Sequence, residues 1–178
     1  GKSVENLRSL LEAGATVHAR SNCGQQALHL AAQWNENPAV IAELVKSGAA
    51  VEVVDQDGCT PLVLAVVENP NPLVIAELLR AGADAKLKVP GLGTPLTCAA
   101  QFREDTKVLD ALLKAGADVN AKNDDGMTAL LHAARNPSLG VIRALLKAGA
   151  NSSATENNGM MALMFAAESG NPAVIEVL

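Results

Sequence analysis

The segment AGADVNAKNDDGMTAL, residues 115–130, groups three aspartates and two asparagines around Gly126. Such a loop resembles a calcium loop, which needs oxygen ligands at its first, third and fifth positions, glycine at the sixth and glutamate at the twelfth. With Gly126 in the sixth position, the first residue is Ala121 and the twelfth is His132. Two essential ligands are missing, so the polar composition needs another explanation.

Two motifs related to this segment recur in phase along the chain. The first reads AGATVHA, SGAAVEV, AGADAKL, AGADVNA and AGANSSA, and the second reads QALHLAA, TPLVLAV, TPLTCAA, TALLHAA and MALMFAA. Both series are spaced by 34, 34, 34 and 33 residues, which indicates a repeat protein. The positions that mark them are Gly14, Gly48, Gly82, Gly116 and Gly149, and Leu28, Leu62, Leu96, Leu130 and Leu163.

The motifs resemble the ankyrin repeat, a unit of about 33 residues with a TPLHxAA helix start and a GADVN-like turn. AGADVNAKNDDGMTAL and DQDGCTPLVLA carry the resemblance, which covers essentially the whole chain. The tetratricopeptide repeat has a similar period, but its tryptophan, glycine and tyrosine pattern is absent. The resemblance implies an all-α solenoid of stacked helix-turn-helix units, with polar β-turn or hairpin fingers projecting along one edge. It implies one domain over residues 1–178, with partial units at 1–20 and 156–178 and units at approximately 21–54, 55–88, 89–122 and 123–155.

Between the motifs, each unit carries the pattern of an amphipathic helix. In VIAELVKSGA, Ile41, Leu44 and Val45 share one face, and Glu43 lies near Lys46 on the solvated side. The same apolar face recurs as Ile75, Leu78 and Leu79, as Leu109, Leu112 and Leu113, and as Ile142, Leu145 and Leu146.

Capping residues predict where the helices begin and end. Asn or Thr can cap a helix whose first position is Pro, and a following Gly can take the left-handed conformation at C′. The longer helices are predicted to end at the repeated glycines, and a second, shorter helix in each unit carries a pair of small residues such as Ala99-Ala100. The predicted starts are Asn37-Pro38, Asn71-Pro72 and Asn171-Pro172 for the longer helices, and Thr60-Pro61 and Thr94-Pro95 for the shorter ones.

Several positions depart from the family pattern. The motif histidine occurs only at His29, and its usual threonine partner is Gln26, so we expect a thinned hydrogen-bond network and moderate stability. In KVPGLGTPL, Leu92 replaces the finger glycine and lies between Gly91 and Gly93, so we expect this finger to have a different shape. The chain opens and closes within a longer helix, without polar capping units, and we expect it to be part of a longer array.

Composition excludes several classes of function. Hydrophobic residues make up 49% of the 178 residues and aromatic residues only 2%, so the core must be aliphatic. A net charge of −5 without a basic cluster argues against nucleic acid, and no apolar run is long enough to span a bilayer. Three cysteines without CxxC spacing favour free thiols over a disulfide framework or zinc site, with a weak preference for the cytoplasm.

Catalytic motifs are absent from the sequence, and no cofactor, metal or small-molecule substrate is expected. There is no HExxH, GxSxG or GxxxxGK[ST] pattern, and the GLG at 91–93 lacks the context of a dinucleotide-binding loop. His18, His29 and His132 occupy different units and motif positions, so we interpret them as turn or packing residues. Asp55, Asp118 and Asn123 are interpreted as turn formers.

The remaining function is recognition of a protein partner. In ankyrin proteins partners usually dock on a concave face made by the fingers and the inner helices. Trp34 and Phe102 fall on this face and are candidate hot spots, although they could instead pack against the lengthened inter-helix loops. The resemblance carries the face onto Gln33, Trp34, Asp57, Cys59, Val67, Glu68, Gln101, Phe102, Met127, Arg135 and Met160.

The sequence therefore predicts a non-catalytic protein–protein interaction module. The alternative is a regulatory or spacer segment of a larger protein whose activity lies outside this chain. An enzyme would need polar groups with perturbed pKa values gathered in a pocket, and the sequence does not predict one. Phe165 aligns with Leu30, Leu64 and Cys98 and is predicted to belong to the core.

Overall fold

A computed structural model describes residues 2–135, 138–170 and 172–178, and these residues form eleven helices and no strand. This confirms the all-α prediction. The helices are α1 (Lys2–Glu12), α2 (Ala27–Trp34), α3 (Pro38–Lys46), α4 (Pro61–Glu68), α5 (Pro72–Arg80), α6 (Pro95–Phe102), α7 (Thr106–Lys114), α8 (Ala129–Arg135), α9 (Leu139–Lys147), α10 (Ala162–Ser169) and α11 (Pro172–Val177).

The chain divides into two compact units, Gly1–Asp84 and Ala85–Leu178. Unit 1 contains α1 to α5, and unit 2 contains α6 to α11. The single domain expected over residues 1–178 stays a prediction.

Both units are built from two layers of helices. In unit 1 the inner helices α2 and α4 pack together, as do the outer helices α1, α3 and α5 in turn. In unit 2 the inner layer is α6, α8 and α10, and the outer layer is α7, α9 and α11. Each inner helix also contacts the outer helix that follows it in the chain, which is the stacking expected of a solenoid of helix pairs.

The core lies between the two layers and is aliphatic, as the composition requires. Ile41 and Leu44 of α3 are buried, whereas Val45 is half-buried, so the apolar face is centred on the first two positions. The large side chains with almost no exposure are Leu28, Ile41, Leu44, Leu62, Ile75, Leu78, Leu96, Leu109, Leu112, Leu130, Leu131 and Ile142.

The predicted helix ends are confirmed where they are described. Asn37 caps α3 by accepting a hydrogen bond from the Ala39 N–H at 3.1 Å, with Pro38 as the first helical residue. At the other end, the Gly48 N–H donates to Val45 O and the Ala49 N–H donates to Leu44 O, both at 3.0 Å, the pair of bonds that closes a helix at a left-handed glycine. Asn171 lies outside the described residues.

Two details go beyond what the sequence pattern indicates. Phe165 is buried as predicted, but the aligned Leu30 is 45% exposed. Glu43 forms its ion pair with Arg8 of α1, at 2.6 Å, rather than with Lys46 on its own helix. The pair joins neighbouring outer helices, so spacing along one helix could not predict it.

Candidate functional site

The fingers are five short turns, each closed by a backbone hydrogen bond from its first to its fifth residue. The first N–H donates to the fifth carbonyl over 2.8–3.1 Å. A glycine at positive φ near the tip lets the chain reverse. The fingers are residues 21–25, 55–59, 89–93, 123–127 and 156–160.

In three fingers the first side chain accepts two hydrogen bonds from backbone N–H groups of its own turn, and in a fourth Ser21 Oγ accepts one, from the Gln25 N–H at 3.2 Å. Asn123 Oδ1 accepts from the N–H groups of Asp125 at 3.0 Å and Met127 at 2.8 Å. Asp55 and Glu156 make the equivalent pairs of bonds in their own fingers. These oxygens are occupied by backbone amides, so the polar residues form the turn, as the sequence predicted.

The finger at 89–93 has a different shape, as expected. Gly91 and Gly93 both take positive φ, and Val89 offers no side-chain acceptor. Asp124 of the next finger supplies one instead, since its Oδ2 accepts from the Gly91 N–H at 2.8 Å and its Oδ1 lies 2.7 Å from Lys88 Nζ. These contacts lower the pKa of the Asp124 carboxyl, with the Gly91 N–H as the main cause and Lys88 second.

Within each unit, neighbouring fingers are tied side by side. In unit 1 the Gln56 N–H donates to Cys23 O at 3.1 Å, and its side-chain Nε2 donates to Asn22 O at 2.9 Å. In unit 2 Asn157 repeats this arrangement on the carbonyls of Asp125 and Asp124, at 3.0 Å each. A row of fingers is therefore held in place before any partner binds.

His29 links an inner helix of unit 1 to the finger that follows it. Its Nδ1 accepts from the Gln26 N–H at 3.1 Å, and its Nε2 lies 3.2 Å from the Cys59 carbonyl. Because Nδ1 accepts a hydrogen bond, the ring is neutral, and burial lowers the pKa of His29. The histidine is a packing and turn residue, in line with the sequence interpretation.

The predicted partner-binding residues divide by exposure, and two of them are buried. Cys59 and Met127 are buried, because each immediately precedes the capping threonine of an inner helix and its side chain is enclosed at the base of its finger. The Cys59 side chain is therefore not accessible to a partner, whereas Met127 still contributes to the surface of a groove in unit 2. Burial also raises the pKa of the Cys59 thiol to about 11. Trp34, Asp57, Glu68, Gln101, Phe102 and Arg135 are exposed, and Gln33, Val67 and Met160 are half-buried.

Unit 2 contains a groove lined by residues of its three fingers and of its inner helices, which we call the finger groove. It consists of two adjoining cavities of about 390 and 510 Å³ that share Asp125, Met127 and Arg135. The smaller cavity is completed by Gly91, Gln101, Asn123 and His132, and the larger by Glu156, Asn157, Asn158, Met160, Phe165 and Glu168.

Several groove residues lie outside the partner-binding set predicted from the sequence, and His132 and Glu156 are two of them. His132 is 8% exposed, and its Nε2 is buried with no hydrogen-bond partner among the described residues. Burial lowers its pKa, with a smaller contribution from Arg135 in the same direction. The repeat alignment could have identified His132, because it is a histidine at an inner-helix position that is apolar or cysteine in the other units. The equivalent residues are Leu30, Leu64, Cys98 and Phe165.

Metal-ligand clusters and activated nucleophiles can be sought directly among the described residues. These residues contain no group of three or more His, Cys, Asp or Glu side chains arranged to hold a metal ion. None of the hydrogen bonds recorded for His18, His29 or His132 joins an imidazole to a serine, threonine or cysteine side chain, as an activated nucleophile would need. No helix in the described part of the chain is long and apolar enough to cross a membrane.

Comparisons with known proteins agree with this architecture. A family model described as Ankyrin repeats (3 copies) matches residues 1–89 and 93–178. The chain is also similar to the crystal structure of the ankyrin repeat domain of Bcl-3, described as a unique member of the IkappaB protein family. That match has a TM-score of 0.84 and 30% sequence identity, and it covers 98% of this chain and 76% of the other. Comparison with curated proteins gives no match.

Proposed function

The chain belongs to the ankyrin-repeat family, and on this basis we propose that it is a non-catalytic module that binds a protein partner with its fingers and the exposed sides of its inner helices. Ankyrin repeats are generally protein–protein interaction modules.

Exposed aromatic side chains on inner helices are the observation that carries the proposal. Trp34 ends α2 with 65% of its surface exposed, and Phe102 ends α6 with 46% exposed. The chain has only three aromatic residues, and two of them expose apolar surface to water. Covering that surface with a partner would be favourable in free energy. Aromatic residues are also enriched among the side chains that dominate interface energies.

The tied fingers favour the same surface. A partner that meets a preformed row of turns loses less free energy to ordering than one that must fix mobile loops. In unit 1 the proposed face comprises Gln33, Trp34, Asp57, Val67 and Glu68. In unit 2 it comprises Gln101, Phe102, Arg135 and Met160.

A matched pair of substitutions in unit 1 tests the proposal. Leu73 lies on the outer helix α5 and is 61% exposed, so Leu73→Ala removes a comparably exposed apolar side chain from the opposite layer. Partners would be captured by the whole chain and identified, and their Kd measured for wild type, Trp34→Ala and Leu73→Ala. We expect Trp34→Ala to cost about 2 kcal/mol of binding, roughly thirtyfold in Kd, and Leu73→Ala to leave the Kd unchanged.

Thermal unfolding separates binding from packing. An exposed side chain that only binds should change the free energy of unfolding by no more than about 0.5 kcal/mol when truncated. A clear loss of stability in Trp34→Ala with unchanged Kd would support the packing role of Trp34 and contradict the proposal. Phe102→Ala repeats the test in unit 2.

A further inference from the structure

The finger groove of unit 2 has an excess of negative charge. Its larger cavity is lined by three carboxylates, those of Asp125, Glu156 and Glu168, and by one guanidinium, that of Arg135. The carboxylates of Asp125 and Glu168 make no hydrogen bond or ion pair to any described residue. They are therefore available to an incoming cation.

Glu156 keeps its charge in place. Its Oε1 accepts from the N–H groups of Asn158 at 2.9 Å and Met160 at 3.1 Å, and its Oε2 accepts from Asn158 Nδ2 at 3.0 Å. These bonds lower the pKa of the Glu156 carboxyl. A fixed anion beside two carboxylates that are unpaired among the described residues gives an electrostatic field that favours a positive side chain.

Apolar side chains line the same cavity. Met160 is half-buried and Phe165 is 9% exposed, and both contribute to its surface. An arginine has an aliphatic stem that can cover such a surface while its charged head reaches polar groups. Its guanidinium carries five N–H donors and can serve more than one carboxylate at once, which suits a site whose acids come from a finger and from an inner helix.

The smaller cavity adds an unsatisfied hydrogen-bonding group. His132 lines it, and the buried Nε2 has no partner among the described residues. Buried polar groups are almost always hydrogen-bonded, so an orphaned one points to a missing ligand group. A peptide main chain lying along the groove would bring N–H and C=O groups past this position.

We propose that the finger groove binds an extended segment of the partner protein, with an arginine side chain between Asp125 and Glu168 and main-chain groups over His132. This inference rests on the proposed function and names the chemistry of the partner. Arg135 lines both cavities, so its positive charge repels the incoming arginine side chain and weakens binding.

The probe is an acetylated, amidated peptide Gly-Ser-Gly-Arg-Gly-Ser-Gly, titrated into the isotopically labelled whole chain and followed by NMR. Peptides with citrulline or glutamate in place of arginine are the controls, because citrulline keeps the shape and removes the charge. We expect saturable shifts of the Asp125, Met160 and Glu168 amides with the arginine peptide alone. Asp125→Asn and Glu168→Gln should each weaken its binding about threefold, and Arg135→Gln should strengthen it about twofold.

Asp110→Asn is the matched charge control, since Asp110 is exposed on the outer helix α7 of the same unit. The inference would be overturned by equal shifts with the citrulline peptide, by preference for the glutamate peptide, or by the absence of saturable shifts. It would also be overturned if Arg135→Gln weakened binding of the arginine peptide, or if Asp110→Asn affected that binding as much as Asp125→Asn and Glu168→Gln. If the arginine peptide fails while partner capture still depends on Trp34 or Phe102, this inference falls and the proposed function stands. If the arginine peptide fails and partner capture does not depend on Trp34 or Phe102 either, the proposed function is rejected as well.

Discussion

The imidazole Nε2 of His29 donates a hydrogen bond to the backbone carbonyl of Cys59, at 3.2 Å. A carbonyl can only accept, so Nε2 carries the proton, and Nδ1 of the neutral ring is the acceptor for the Gln26 N–H. One side chain therefore satisfies two backbone groups that lie 33 residues apart (59 − 26). It joins the start of α2 to the next finger of unit 1.

Replacing His29 by leucine should destabilise the chain by about 1–3 kcal/mol, because two buried backbone groups lose their partner. Urea unfolding followed by circular dichroism measures the change. The equivalent position carries valine at Val63, so an apolar residue is compatible with the helix itself. An unchanged unfolding midpoint would mean that the two hydrogen bonds contribute no net stability.

His132→Leu should have the opposite effect. The substitution removes a buried nitrogen that has no hydrogen-bond partner among the described residues, and it places leucine where Leu30 and Leu64 occur in other units. We expect a gain of about 1 kcal/mol and a rise in Tm of about 2–4 °C. His18→Leu, at an exposed turn position, is the control and should leave Tm nearly unchanged. A fall in Tm for His132→Leu would show that the imidazole is satisfied in solution.

Stability should decline as the pH falls below about 6.5, the ordinary pKa of histidine. Burial lowers the pKa of both His29 and His132 in the folded chain, so the unfolded state takes up protons first and is favoured by acid. The contribution is fully present above the unfolded pKa and is lost as the pH falls toward the folded pKa. Urea midpoints at pH 7.5, 6.5 and 5.5 test this. A flat profile would contradict it, and His132→Leu should flatten the profile in part.

Gly126→Ala should cost more stability than Gly149→Ala. Both glycines have positive φ, +78° and +90°, so each substitution carries about 1–2 kcal/mol of backbone strain. A Cβ on Gly126 would also lie 2.6 Å from Asn157 Oδ1 and 3.0 Å from its backbone N, whereas one on Gly149 meets nothing within 4 Å. We expect the difference to be at least about 1 kcal/mol. Equal losses in urea unfolding would mean that the fingers are not closely tied.

Local chemistry made most of the fold predictable from the sequence. Asn37-Pro38 and Gly48 specify where α3 begins and ends, because a cap, a fixed φ and a left-handed glycine each act within a few residues. The finger at 89–93 could be singled out for a similar reason, since only Gly91 and Gly93 were available for positive φ.

Features that depend on packing between units of the repeat were not predictable in this way. Cys59 and Met127 were assigned to the binding face from family position, but their side chains are enclosed at the bases of their fingers. Nε2 of His132 has no hydrogen-bond partner among the described residues because of the side chains that surround it. The spacing of motifs along the sequence does not specify those neighbours. The pairing of Glu43 with Arg8, rather than with Lys46, likewise depends on the packing of two outer helices.

The contact between Asp124 and the finger at 89–93 limits how freely these repeats can be exchanged. That finger has no acceptor side chain of its own and takes one from the following finger. Residues 89–127 should therefore be kept together when repeats are shuffled or duplicated. A cut between the two fingers would separate a turn from the carboxylate that supports it, even though the sequence period suggests a clean boundary there.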